Sequence, residues 1–269
     1  MSIIKAWYPE SPFMFNGVLH YVEYTRNTVR NENGDTIKVP AGPCGLACFK
    51  NELVVACYDA HLLFFVNSGT TISIPYPNDI TSDSCGNLLI TSSAIARDCD
   101  PFKNTSNASG SLYYLDLTAN LHKLEIDRPI HYANGIAFNN VTRQLYVSEH
   151  IMNRILIYEL LTYTGDGIPI LGSTKTHLQL PMCPHDNNVI LGPDGLALDA
   201  NGNLYIAHFG SSNVYVYNSL KCLLKTYVFD YAYVTNVCLS RNMMYVTVAN
   251  NDQVGYVSRQ NNRELTKYV

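Results

Sequence analysis

Four polar side chains, two carboxylates and two amides, occupy matching places in the sequence. Each stands nine to eleven residues before a short apolar segment that begins with leucine, and the four are Glu10, Asn78, Asn134 and Asp194. If the fold brings these places together, the side chains form an oxygen-rich set of ligands. Such a set suits a hard cation, Ca²⁺ first and Mg²⁺ or Mn²⁺ next. The alternative is that each side chain only caps the turn into its strand by bonding to the backbone.

The apolar segment that follows these side chains is part of a repeat. Six copies begin at Leu19, Leu53, Leu88, Leu145, Leu204 and Met244. Most copies follow a turn that contains glycine or asparagine, which is typical of tight hairpins. Further apolar runs lie downstream, for example at residues 62–66 and 214–217, and suit a third or fourth strand. The chain is rich in tyrosine and β-branched residues and shows no convincing amphipathic helix, which favours sheet.

Six repeated antiparallel units predict an all-β fold, a six-bladed β-propeller of four-stranded antiparallel blades around a central channel. Residues 1–269 are interpreted as a single propeller domain. A two-sheet sandwich is the alternative, but it does not require a six-fold repeat. Because the innermost strand of each blade lines the channel, the aligned positions form a ring, which Cys44 and Asn236 complete. Two polar segments, 94–110 and 172–189, are predicted to be long surface loops.

Composition excludes several classes of protein. A net charge of −4 and the lack of any basic run argue against binding to nucleic acid. There is no apolar stretch of about 20 residues and no signal peptide, so we expect a cytoplasmic protein without membrane contact. The eight cysteines form no C-x-x-C pair and are expected to be reduced thiols. The expected oligomeric state is a monomer or a weak homo-oligomer.

The order of the motifs carries a family resemblance. Glu10-Ser-Pro12, Pro77-Asn-Asp79, Asn134-Gly135 and Pro193-Asp-Gly195 occur in that order along the chain. Their order and spacing resemble the senescence-marker-protein/gluconolactonase (regucalcin-like) family of six-bladed propellers. The resemblance implies one divalent cation held by Glu10, Asn134 and Asp194, with Ca²⁺ favoured and Zn²⁺, Mn²⁺ or Mg²⁺ as alternatives. It also implies that Asn78 contacts substrate or a metal-bound water, and that Asp194 is the general base.

The function implied is a metal-dependent hydrolase that opens a sugar-type or related small lactone. Sugar-lactonase members often carry an arginine two residues before the Asn of the P-N-D motif, where this sequence has Tyr76. Arg97 in the following loop is the candidate to compensate. His208 and His150 follow inner segments of the repeat, and each is either a group at the channel mouth or a structural histidine. The expected substrate-binding set is therefore Asn78, Tyr76, Arg97 and His208.

Two other functions stay open at this point. The first is hydrolysis of a phosphotriester or another ester at the same metal site, for which the loss of the arginine leaves room. The second is a non-catalytic propeller that binds a metal or a metabolite. A panel of lactones assayed with added metal separates these hypotheses.

Overall fold

The computed structural model describes residues 2–94, 110–183, 185, 190–250 and 254–262. Within them, antiparallel strands form six sheets, and each sheet packs face to face against the next. The prediction of a six-bladed β-propeller is confirmed. Helical structure in the described residues is limited to the 3₁₀ turn Tyr24–Arg26, and none of their helices is long and apolar enough to cross a membrane.

Blades one to three follow the chain in simple order, from the innermost strand outwards. Blade one consists of Pro9–Phe15, Val18–Glu23, Thr28–Asn31 and Thr36–Lys38. Blade two consists of Pro43–Phe49, Glu52–Cys57, Leu62–Phe65 and Thr71–Ser73. Blade three consists of Pro77–Ser82, Leu88–Ser92, Ser111–Leu115 and Leu121–Lys123.

Blade four has a fifth strand. Its strands are Ala133–Asn139, Gln144–Glu149, Arg154–Tyr163, Pro169–Leu171 and Lys175–Gln179. The last two pair with different halves of the long third strand. Part of the predicted loop 172–189 is therefore strand, because Leu178 is buried between more exposed neighbours and anchors it. Residues 95–109 of the other predicted loop lie outside the described residues.

The last blade joins the two ends of the described chain. Blade five consists of Gly192–Leu198, Leu204–Phe209, Asn213–Tyr217 and Leu223–Val228. Blade six consists of Tyr233–Ser240, Met243–Asn250 and Val254–Asn261, with Ser2–Ala6 as its outermost strand. The N-terminal strand thus closes the ring of blades through antiparallel pairing with Val254–Asn261.

The second strand of each blade is covered on both faces. In blades two and four, Leu53–Cys57 and Leu145–Glu149 are buried without interruption. A strand that faces two neighbouring sheets needs apolar or fully bonded side chains at every position, not at alternate ones. The repeated Leu-led segments are these second strands, which is why they stand out in the sequence.

Candidate active site in the central channel

The ring residues stand at an irregularity in the innermost strands. In blades three, four and five, two residues of the inner strand oppose one residue of the second strand, which is a β-bulge. The pairs are Asn78-Asp79 against Thr91, Asn134-Gly135 against Ser148, and Asp194-Gly195 against Ala207. Blades two and six have a register shift at the same place, and in blade one the shift follows directly after Glu10. The bulge therefore re-aims the side chain that the motif supplies.

Side chains of the preceding blade hold the bulged backbone in place. The hydroxyl of Ser148 donates to the carbonyl oxygen of Asp194 at 2.7 Å, and that of Thr91 donates to the carbonyl oxygen of Asn134 at 2.6 Å. In blade two the thiol of Cys44 donates to the carbonyl oxygen of Asn78 at 3.2 Å. The ring positions of blades three, four and five are thus each tied to the blade before them.

Glycine after the ring residue allows neighbouring inner strands to approach closely. A Cβ added at Gly135 would lie 2.0 Å from the carbonyl oxygen of Asp194, which is shorter than any real contact. A Cβ at Gly195 would lie 2.0 Å from Oδ1 of Asn236. The glycines of the N-G and D-G motifs are therefore steric requirements of a narrow channel.

A cavity of about 340 Å³ opens at one end of the channel. Its polar residues include Glu10, Asn78, Asn134 and Asp194, together with Cys44. Five aromatic side chains also line it: Tyr8, Tyr24, Tyr58, Tyr132 and Phe209. The described lining residues include no lysine or arginine. The structure thus brings together the four oxygen-bearing side chains that the motifs single out.

The two carboxylates of the cavity lack a compensating cation among the described side chains. Burial raises the pKa of Asp194 well above its usual range, repulsion from Asp79 adds to this, and a hydrogen bond with Asn134 opposes it. The pKa of Glu10 is raised by burial and then by repulsion from Asp194 and Asp79, while Thr235 donates a hydrogen bond that opposes the shift. Glu10 keeps some accessible surface, but desolvation in the channel dominates.

The side chains that could join the two carboxylates as oxygen ligands are the amides of Asn78 and Asn134. Among the described residues no three His, Cys, Asp or Glu side chains form a metal-binding group. The predicted ligands Glu10, Asn134 and Asp194 are two carboxylates and one amide, so they are not a group of that kind. Burial, followed by the negative charge of Glu10, raises the pKa of the Cys44 thiol, and the thiol donates to backbone carbonyl oxygens such as that of Asn78.

Blade six differs from the expected ring. Asn236 lines a second cavity of about 280 Å³ formed by later residues of the inner strands, where it shares a hydrogen bond with Asp79. Thr235 stands at the place of the ring residue and bonds to Glu10. A bulge points successive residues towards opposite ends of the channel, so a one-residue error in alignment moves the side chain to the wrong cavity.

Of the described residues expected to bind substrate, Asn78 lines the cavity and Tyr76 and His208 do not. Asn78 lines the cavity, whereas Tyr76 is half-buried behind it, with its ring 5.5 Å from that of Tyr58. His208 does not line the cavity, and both of its ring nitrogens are engaged inside the protein, with Ser211 and Asn153. Burial lowers the pKa of His208 to about 3, so it is a neutral structural histidine. Arg97 lies outside the described residues.

The sequence analysis missed the aromatic wall and left the role of His150 open. His150 lines the cavity, and its Nδ1 donates to the carbonyl oxygen of Pro193 at 3.1 Å, which leaves Nε2 as the unprotonated nitrogen. Burial lowers its pKa to about 4, so the ring is neutral at pH 7. Tyr8 and Tyr132 stand two residues before Glu10 and Asn134, and this repeated spacing is a partial signal of the wall, since Tyr76 has the same spacing to Asn78 without lining the cavity.

Comparison with known proteins assigns the family. A family model described as SMP-30/Gluconolactonase/LRE-like region matches residues 9–250, which include all six inner strands. The chain belongs to this family. The match confirms the resemblance drawn from the motifs, and all four oxygen-bearing ring residues fall inside it.

Curated relatives match this chain only over part of their length. Lactonase drp35 of Staphylococcus epidermidis strain RP62A is 32% identical over 111 residues, which is 40% of this chain and 30% of the relative. Lactonase drp35 of Staphylococcus saprophyticus is 28% identical over 119 residues, 42% of this chain and 32% of the relative. The alignments thus span about a third of these relatives.

Solved structures of similar shape cover nearly the whole chain. Regucalcin from Agrobacterium tumefaciens, described as a calcium-binding protein, has a TM-score of 0.72 at 16% identity and covers 95% of this chain and 91% of its own. A gluconolactonase from Xanthomonas campestris has a TM-score of 0.71 at 17% identity and covers 95% and 87%. At these identities the likeness supports the fold of this chain and no statement about its activity or ligands.

Proposed function

We propose that this chain is a divalent-cation-dependent hydrolase that opens a small lactone by attack of water. The observation that carries the proposal is the pair of buried carboxylates, Glu10 and Asp194, which face one cavity together with Asn78 and Asn134. Family membership supports the reaction, since the family is named for a gluconolactonase and the curated relatives are lactonases.

The residues present fit a hard cation. Two carboxylates that are desolvated and repel each other are unfavourable as anions, and a divalent cation between them removes both costs. Glu10, Asn134 and Asp194 would hold it through oxygen atoms, which is the donor type that Ca²⁺ prefers. These ligands are oxygen atoms, and the thiol of Cys44 is directed at backbone carbonyl oxygens, which favours Ca²⁺ over Zn²⁺ in this set.

The proposed reaction assigns a task to each side chain of the cavity. When bound, the cation supplies Lewis-acid polarisation of the lactone carbonyl. Asp194 accepts a proton from the attacking water as its oxygen bonds to the carbonyl carbon. The C–O bond of the lactone ring then breaks, the leaving oxygen takes the proton from Asp194, and a hydroxy acid results. The amide of Asn78 orients water or substrate without adding charge, and neutral His150 offers Nε2 as a second proton acceptor.

Replacement of Asp194 tests the proposal directly. We expect Asp194→Ala to abolish both tight metal binding, measured by titration calorimetry with Ca²⁺ and Mn²⁺, and turnover of a lactone panel, measured by proton release. His150→Gln should leave the affinity for metal within about threefold, because His150 is not among the ligands, and should lower kcat by roughly tenfold or more if it accepts a proton. Asp166→Asn removes an exposed carboxylate in a surface turn and is the matched control.

Two outcomes would contradict the proposal at different points. Full activity in Asp194→Ala would exclude Asp194 as ligand and base. Metal binding without hydrolysis of any lactone or ester would exclude the enzyme and favour a propeller that binds a metal or a metabolite.

A further inference from the structure

Five aromatic side chains form a wall around the mouth of the cavity. We call Tyr8, Tyr24, Tyr58, Tyr132 and Phe209 the aromatic collar. They stand either just before an innermost strand, or at the end of a second strand or directly after it. These two positions meet at the same end of the channel, because the two strands are antiparallel. The collar is therefore built by the repeat itself.

The hydroxyl groups of Tyr24, Tyr58 and Tyr132 in the collar are engaged by the protein. Tyr24 donates to Oδ2 of Asp59 at 3.0 Å, and Tyr58 donates to the carbonyl oxygen of Ala94 at 2.7 Å. The hydroxyl of Tyr132 bonds to that of Tyr58 and must donate, because Tyr58 already gives its proton to Ala94. With their polar ends bound to the protein, these tyrosines present mainly aromatic carbon to a ligand.

Contacts between rings hold Phe209 in place. Its ring stacks on that of Tyr233 with centroids 4.5 Å apart and planes 7° apart. On another side the ring of His150 meets Phe209 edge-on at 5.6 Å, and the same histidine meets Tyr132 at 5.7 Å. The ring of Tyr8 lies 5.9 Å from that of Tyr24. The apolar surface is thus formed before any ligand binds, which lowers the entropic cost of binding.

Few described side chains of the wall are left to bind hydroxyl groups. The four oxygen-bearing side chains are assigned to the cation and the ester group. Thr25, Cys44 and His150 are the other polar residues of the described lining, apart from the tyrosines. A sugar lactone brings several hydroxyl groups, and each one buried without a partner lowers affinity. An aromatic or bulky alkyl group has no such requirement and gains from contact with the collar.

We propose that the cavity takes lactones or esters that carry an aromatic or bulky apolar group next to the ester bond, in preference to polyhydroxylated sugar lactones. The reaction in this inference rests on the proposed hydrolase function, whereas the preferred binding of an apolar group rests on the collar alone. Tyr76 supports the collar through its contact with Tyr58 and does not reach the cavity to bind a sugar hydroxyl. A volume of about 340 Å³ leaves room for a lactone ring with one phenyl group.

The activity test compares γ-phenyl-γ-butyrolactone with glucono-δ-lactone on the calcium-loaded protein. We expect kcat/KM to be at least roughly tenfold higher for the phenyl lactone, and Phe209→Ala to lower that value roughly tenfold while changing the sugar lactone less than about twofold. Phe209→Leu keeps apolar volume and should lose less. Phe13→Ala removes a half-buried ring from the other cavity and is the matched control. Preference for the sugar lactone, or an equal loss on both substrates, would overturn the inference.

A binding test separates this inference from the proposed function. Calorimetry should show that 5-phenyl-2-pyrrolidinone, the lactam of the phenyl substrate, binds at least roughly tenfold more tightly than 2-pyrrolidinone, and that Phe209→Ala removes the difference. Equal affinities in the wild-type protein would overturn the role of the collar even if lactones are hydrolysed. If no lactone is hydrolysed but the phenyl lactam is preferred, the proposed function fails and the collar stands as an apolar binding site.

Discussion

At the scale of single residues, Glu149 shows how this fold treats a buried carboxylate that has partners. Its side chain is fully buried at the end of a second strand and contacts the guanidinium groups of Arg128 and Arg154 and the ring and backbone N–H of His131. Desolvation acts to raise its pKa, but the hydrogen bonds from these groups outweigh it and lower the pKa to about 2. Glu10 and Asp194 lack such partners, and their pKa values move in the opposite direction.

This contrast predicts how stability depends on pH. Because its folded pKa of about 2 lies below the usual 4.5, Glu149 contributes stability that is complete above pH 4.5 and is lost as the pH falls towards 2. Glu149→Gln should therefore lower the free energy of unfolding by about 2 kcal/mol at pH 7, less than the full shift implies because solvent screens the partly exposed arginines. The deficit relative to the wild type should shrink as the pH is lowered to 3. Urea titrations at both pH values measure it.

The control for this prediction is an exposed ion pair in the same blade. Glu159 bonds to Lys175 at 3.0 Å with both side chains more than half exposed. Glu159→Gln should change the free energy of unfolding by less than about 0.5 kcal/mol at either pH. The prediction is contradicted if Glu149→Gln lowers the free energy of unfolding by the same amount at pH 7 and pH 3. The stabilising contacts of Glu149 would then not depend on the charge of its carboxylate.

At the scale of strands, the close approach of neighbouring inner strands limits what the motifs can contain. A Cβ at Gly135 meets the backbone of Asp194, which cannot rotate away as a side chain could. We expect Gly135→Ala to lower the free energy of unfolding by about 3 kcal/mol, since overpacking here must separate blades four and five. It should also weaken metal binding, because it displaces the proposed ligand Asp194. Thermal denaturation and calcium titration check the two effects.

Gly165 provides the matched control. It lies in a surface turn of blade four, where an added Cβ meets nothing within 4 Å and the backbone is not in the left-handed region. Gly165→Ala should leave stability within about 0.5 kcal/mol of the wild type. If Gly135→Ala behaves in the same way, the inner strands are less tightly fixed than the hydrogen bonds between blades indicate.

The repeated pattern of buried strands also explains which parts of the site could be predicted from the sequence. The fully buried second strands repeat as apolar segments, so the blade count followed from the sequence. Asn78, Asn134 and Asp194 could be placed in one cavity because the motif fixes their register against those segments. Asn236 was misplaced because the bulge reverses direction within one residue. His208 was expected at the mouth, but its partner Asn153 is 55 residues away in the sequence, and no local pattern reports such a contact.

At the scale of the whole molecule, the N-terminal strand completes the last blade and adds to the contacts that close the ring of six blades. Ser2–Ala6 pairs along its whole length with Val254–Asn261, and without it that strand would be an exposed edge. Ile4 and Ala6 pack into a cluster with Leu19, Tyr21 and Val257, which links blade six to blade one. The N-terminal strand therefore adds to the direct packing of blade six on the innermost strand of blade one.

Neighbouring residues of this strand allow closure to be tested without removing it. Ile4 packs against the cluster between blades, whereas Ile3 points to the other face and is 51% exposed. We expect Ile4→Asn to lower the free energy of unfolding by about 2 kcal/mol, and Ile3→Asn to change it by less than about 0.5 kcal/mol. Deletion of residues 2–6 should lower the unfolding midpoint further and cause aggregation that grows with concentration, because the edge strand becomes free to pair with another chain. Chemical denaturation and light scattering measure these effects, and equal stability of the two asparagine variants would show that the N-terminal strand does not hold the ring closed.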